Sequence, residues 1–132
     1  MWPGRFEAEN IHEIDITVKF LVIVNESPWG SDLALAANRF VGAALESGVE
    51  VTAVFFREDG VYNALQGENC DAGTPDLTEA WGALGAQSGT RLLMCSSSRA
   101  RRFRAQPSSG FIESGLTDMM ELMMGCDRVI SF

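Results

Sequence analysis

Val18-Lys19-Phe20-Leu21-Val22-Ile23-Val24 is a continuous β-branched and apolar run interrupted only by Lys19. It lacks the period-two alternation of a half-exposed strand and predicts a strand buried on both faces, as in parallel sheets covered by helices. The pattern returns at 49–56, ended by Asp59-Gly60, and in shorter form at Arg91–Cys95. Between these runs the spacing turns helical. Ser31 is placed to cap a helix that runs to Ser47 and stops at Gly48, with Leu33, Ala37, Phe40, Val41 and Ala44 on one face. After 61–72, which shows no strong period, Thr74-Pro75 reads as the start of a second helix, striped by Leu77, Trp81 and Leu84 and ending near Gly89.

A short basic helix is expected over 97–104, a loop around Pro107 and Gly110, and a helix from about Ser114 to Met124. Leu116, Met119, Met120 and Met123 of that last helix are expected in the core. Residues 127–132 predict a short closing strand. Strands alternating with helices over short loops define an α/β fold: a single-domain open, mainly parallel sheet with helices on both faces, of flavodoxin/Rossmann-like architecture.

The 132 residues suit one domain, read as an N-terminal extension over 1–16 followed by the domain proper over 17–132. No apolar run approaches the roughly 20 residues of a membrane span. The first 15 residues hold Glu7, Glu9, Glu13 and Asp15 and do not resemble a secretory signal. Three cysteines, Cys70, Cys95 and Cys126, with no CxxC pair, argue for a reducing cytoplasm rather than a disulfide framework. A net charge of −8 disfavours direct contact with nucleic acid. Lys19 is the only lysine, which excludes a Walker A loop, and His12 is the only histidine, which leaves no basis for a zinc site or a histidine-based triad. No metal or organic cofactor is expected.

In an open parallel sheet, chemistry gathers beyond the carboxyl ends of the strands, at a topological switch point. Three segments fall at such ends: 25–30, 57–62 and 95–98. Cys95 is the strong nucleophile among them. It is followed by Ser96-Ser97-Ser98 and by Arg99, Arg101, Arg102 and Arg104. A thiol at the start of a helix, near positive charge, is stabilised as the thiolate. The competing reading is a buried structural cysteine with arginines on a solvated face. The first loop lacks GxGxxG, although Ser27 and Ser31 leave open a flavodoxin-like site for a small phosphate or anion. Cys126 reads as a small buried hydrophobe. Cys70 reads as exposed and incidental, with a resolving role as its alternative.

V-F-F-R-E-D-G-V-Y-N-A at 54–64, L-L-M-C at 92–95, S-G-L at 114–116 and C-D-R-V-I-S-F at 126–132 are similar to the DsrE/TusD family of small sulfur-relay proteins. The resemblance covers about 18–132 and departs at Ser96–Ser98, where relatives carry a small apolar run, and at the arginine-rich stretch 99–110. It implies a DsrE-like fold and a sulfurtransferase that carries sulfur as a persulfide on Cys95, without cofactor. It further implies related small subunits in a hetero- or homo-oligomer, an upstream persulfide donor protein and a downstream acceptor thiol protein. The pathway would be tRNA 2-thiouridine synthesis or sulfur oxidation. A non-catalytic structural subunit of such an assembly is the alternative. Trp29, Phe55, Phe56 and the methionine-rich helix exceed what one small core is expected to bury, which predicts an oligomer.

Overall fold

The computed structural model describes residues 17–29, 31–65 and 76–132. Five parallel strands form one sheet in the order β4-β3-β2-β1-β5: β1 Lys19–Val24, β2 Glu50–Phe56, β3 Arg91–Cys95, β4 Phe111–Ser114 and β5 Arg128–Ser131. The helices are α1 Leu33–Glu46, α2 Leu77–Ser88, α3 Ser96–Ala100 and α4 Leu116–Gly125, and a 3-10 helix spans Glu58–Ala64. The chain steps from β1 to β4 in one direction and then returns past β1 to reach β5. With crossovers of constant right hand, α1 and α2 lie on one face and α4 on the other. The expected class and the helices on both faces are therefore present.

The central strands are apolar all round for the reason read from their sequence. Leu21, Val22, Ile23 and Val24 of β1, and Ala53, Val54, Phe55 and Phe56 of β2, are all buried. Phe56 packs edge-on against Trp81 of α2, with ring centroids 5.1 Å apart. Phe55 and Phe56 thus fit within the core, against the expectation that they overfill it.

Helix α1 buries Ala34, Ala37, Val41 and Ala44, while Leu33 is exposed. Ala37, Val41 and Ala44 are buried as expected, with Ala34 in place of Leu33 at the first turn; the N-cap is Asp32, not Ser31, whose Oγ accepts from the Leu33 N–H. Thr74 and Pro75 lie outside the described residues. The described cap of α2 is Asp76, whose carboxylate accepts from the Glu79 N–H at 3.2 Å, and α2 closes on Gly89 in the left-handed region (φ 77°).

Two differences from expectation have clear causes. Residues 111–114 form the edge strand β4 rather than loop and helix start. Phe111 and Ser114 are buried there and Ile112 and Glu113 exposed, so the four residues carry no period-two pattern that could stand out in sequence. Ser114 then donates to the Asp118 carboxylate (2.7 Å), which also accepts from the Gly115 N–H and fixes the first turn of α4. The second difference is α4 itself, in which no residue is fully buried. Met119 and Leu122 pack against the core, but Leu116, Met120, Met123 and Met124 are exposed. Among the described residues, the ten of α4 form the one helix on this face of the five-stranded sheet, and the stripe aimed at the sheet is the part that packs.

Candidate functional site

Segments 25–29, 57–64 and 95–103 meet at the carboxyl edge of the sheet. Asn63 ties the first two together: its Nδ2 donates to the Glu26 and Gly60 carbonyls (3.0 and 2.9 Å), and its Oδ1 accepts from Trp81 Nε1 (3.2 Å). Gly60 is pressed onto the end of β1, where an added Cβ would lie 2.0 Å from the Val24 oxygen. The second and third segments are joined by Ser98, whose buried Oγ accepts from the Glu58 N–H at 3.0 Å. An aromatic row runs across all three: Trp29 to Tyr62 (5.3 Å between centroids), Tyr62 to Phe103 (5.7 Å), with the Arg99 guanidinium 5.7 Å from the centre of the Phe103 ring.

Cys95 ends β3 and caps α3, at the carboxyl edge as expected. It does not sit at the switch point. The strand order places that reversal between β1 and β5, where the Asn25 side chain donates to Ser131 Oγ and the Phe132 carbonyl. Cys95 lies two strands away, beside Ser114 of β4.

The thiol is 2% exposed, and its Sγ lies 3.3 Å from Ser97 Oγ. Burial pushes it up, but the hydroxyls of Ser97 and Ser98 and then their backbone N–H groups outweigh burial, so it ionises below the ordinary thiol range. With α3 only five residues long, individual hydrogen bonds rather than a helix dipole favour the thiolate. No arginine is among the causes.

The arginines are engaged elsewhere. Arg102 Nε donates to Asp59 (2.9 Å), Nη2 to Glu58 (3.2 Å) and Nη1 to the Ser98 carbonyl (3.0 Å). Arg99 Nη2 donates to the carbonyls of Arg104 and Ala105 and Nη1 pairs with Glu113 (3.6 Å), while Arg101 and Arg104 are exposed. Two members of the cluster read as a positive field around the thiol, Arg99 and Arg102, therefore brace α3. Sequence gave no signal for the Ser98–Glu58 and Arg102–Asp59 contacts, which join residues 40 or more positions apart.

Cys126 is half-buried at the opposite, amino edge of the sheet, next to Asp127, whose N–H donates to the carbonyl of Lys19 at the start of β1. The length of β3 separates the two edges, far beyond the roughly 7 Å Cα separation that a disulfide tolerates. Cys70 lies outside the described residues. At the first loop Ser27 Oγ donates to the Trp29 carbonyl, Ser31 Oγ accepts from Leu33, and the N-cap is the carboxylate-bearing Asp32. That arrangement repels a phosphate rather than cradling it. Among the described residues no group of three or more His, Cys, Asp or Glu is placed to hold a metal ion, and no helix is long and apolar enough to cross a membrane.

A parallel α/β sheet bearing a hydrogen-bonded thiol at a strand's carboxyl end defines the class. The profile of the DsrE/DsrF-like family matches residues 18–132, and the chain belongs to that family. Among solved structures, the chain is similar to the ychN protein from E. coli, with a TM-score of 0.76 and 18% identity over 88% of this chain and 100% of that one. At that identity the likeness bears on the fold alone.

Proposed function

We propose that this protein is a sulfurtransferase of a sulfur relay that carries sulfur as a persulfide on Cys95. The observation that carries this reading is the set of hydroxyl and N–H groups of Ser97 and Ser98 around Cys95, which favours the thiolate despite burial. The Cys95 thiolate attacks the terminal sulfur of a donor persulfide. The donor's S–S bond breaks, a new S–S bond forms on Cys95, and the donor leaves as a thiolate. An acceptor thiolate then attacks the same terminal sulfur, and Cys95 is restored as a thiolate with no net oxidation. Ser97 and Ser98 stabilise the negative sulfur before loading and after release.

Family membership supports a sulfur-relay role. The donor and acceptor are proteins of the cytoplasm, and the pathway is tRNA thiolation or sulfur oxidation. The exposed apolar surface of α4 and of Ile112 supports assembly with related small subunits.

A second reading, a structural subunit with an idle cysteine, is favoured by the 2% exposure of Cys95. Transfer assays separate the two. Cys95→Ser is expected to abolish passage of sulfur from a persulfide donor to an acceptor thiol, while Cys70→Ser and Cys126→Ser retain it. Wild-type transfer no faster than that of Cys95→Ser, or of the donor and acceptor alone, assigns the structural role.

A further inference from the structure

Cys95 is buried, and the helix that follows it supplies the hydrogen bonds to its sulfur. Ser97 faces the sulfur from α3, and Ser98 of the same turn is anchored on the 3-10 helix through the Glu58 N–H. Glu58 holds φ at 51°, the one positive φ at a non-glycine position among the described residues. For an L residue this conformation persists only where its surroundings impose it.

Arg102 reaches the same segment from the end of α3. Its guanidinium spans the gap, with one nitrogen on the Ser98 carbonyl and the other two on the carboxylates of Glu58 and Asp59. The Arg102 side chain is mostly buried, while both carboxylates are substantially exposed. Three charge-assisted hydrogen bonds thus converge on Arg102, which joins the end of α3 to the 3-10 helix beside the Ser98–Glu58 bond.

We propose that Arg102 is a positioning residue for Cys95, latching the Ser96–Ala100 helix against Glu58 and Asp59 so that Ser97 and Ser98 stay on the sulfur and the thiol stays covered. Release of this latch exposes the sulfur to a donor or acceptor. A basic segment on a partner, competing with Arg102 for the two exposed carboxylates, has the chemistry to release it. The proposal rests on Cys95 as the working thiol. Its test uses no sulfur donor, so failure of the sulfur-carrier reading and failure of the latch are separately visible.

The experiment is alkylation of the native protein by iodoacetamide across a range of pH, read peptide by peptide by mass spectrometry, in wild type, Arg102→Gln and Arg102→Lys. Among the described residues, the groups that lower the ionisation point of the Cys95 thiol are those of Ser97 and Ser98, so its profile reports the α3 contacts. In Arg102→Gln the plateau rate at high pH should rise about tenfold, as expected for losing a charge-assisted hydrogen bond that holds a closed state. The midpoint should move to higher pH as the serine contacts loosen. Arg102→Lys, which keeps the charge, should restore part of both. Asp59→Asn, which alters only an exposed partner, should shift both in the same direction by less. Unchanged plateau and midpoint in Arg102→Gln would overturn the proposal. So would a parallel rise at Cys126, which marks general loosening.

Discussion

The indole Nε1 of Trp81 donates to Oδ1 of Asn63 at 3.2 Å, and both side chains are fully buried. Through this bond α2 holds the 3-10 helix, and through the Asn63 amide the 3-10 helix holds the first loop. Asn63→Ala leaves the indole N–H without its acceptor and two carbonyls without their donor. The expected cost is about 2–3 kcal/mol of folding stability, measured by urea unfolding. A loss within experimental error would mean that water substitutes at all three positions.

Gly60 gives a harsher test of how the three segments meet. A Cβ there would lie 2.0 Å from the Val24 carbonyl oxygen and 2.8 Å from its carbon, both backbone atoms of β1. Gly60→Ala is expected to cost about 3 kcal/mol or more, through overpacking that a flexible side chain cannot relieve. Thermal unfolding followed by circular dichroism reads it. A melting temperature equal to wild type would show that the 3-10 helix shifts freely away from β1.

Ser97→Ala removes the hydroxyl 3.3 Å from the Cys95 sulfur and should raise the thiol's ionisation point, read as the pH dependence of alkylation at Cys95. Stability follows the same linkage. The folded thiol ionises below the unfolded value of about 8.5, so its contribution is fully present above that value and is lost as pH falls through the folded one. Ser97→Ala should narrow this window. Identical alkylation profiles in wild type and variant would remove Ser97 from the site.

The exposed side of α4 predicts association. Met120 and Met124 are 61% and 88% exposed, and Ile112 on the neighbouring edge strand is 56% exposed. A biological interface over this surface should bury more than about 1,000 Å². Met120→Glu combined with Met124→Glu is expected to lower the protein's sedimentation coefficient without lowering the melting temperature. A wild-type chain that sediments as a monomer, and recovers no partner subunit from cells, contradicts the prediction.

The sheet was legible because its central strands are buried on both faces, and that burial writes itself into runs such as 18–24 and 49–56. Edge strand β4 was not, since only Phe111 in it is a buried apolar residue. Neither was the exposure of α4, because a helical methionine stripe reads alike whether a domain or a neighbouring subunit covers it. At the site, Cys95 could be placed at a strand end from order alone. The engagement of Arg99 and Arg102 by Glu113, Glu58 and Asp59 depends on tertiary contacts that carry no local pattern. Four arginines near a cysteine suggested a field, whereas two of them brace α3.

The most direct measurement of sulfur carriage is the mass of the Cys95 peptide after the native protein is incubated with glutathione persulfide, quenched and digested. One added sulfur atom should appear on that peptide, be absent from the Cys126 peptide, and disappear when an acceptor thiol is added. A Cys95 peptide that keeps its unmodified mass, while Cys95→Ser still delivers sulfur to the acceptor at the wild-type rate, would contradict a persulfide on Cys95.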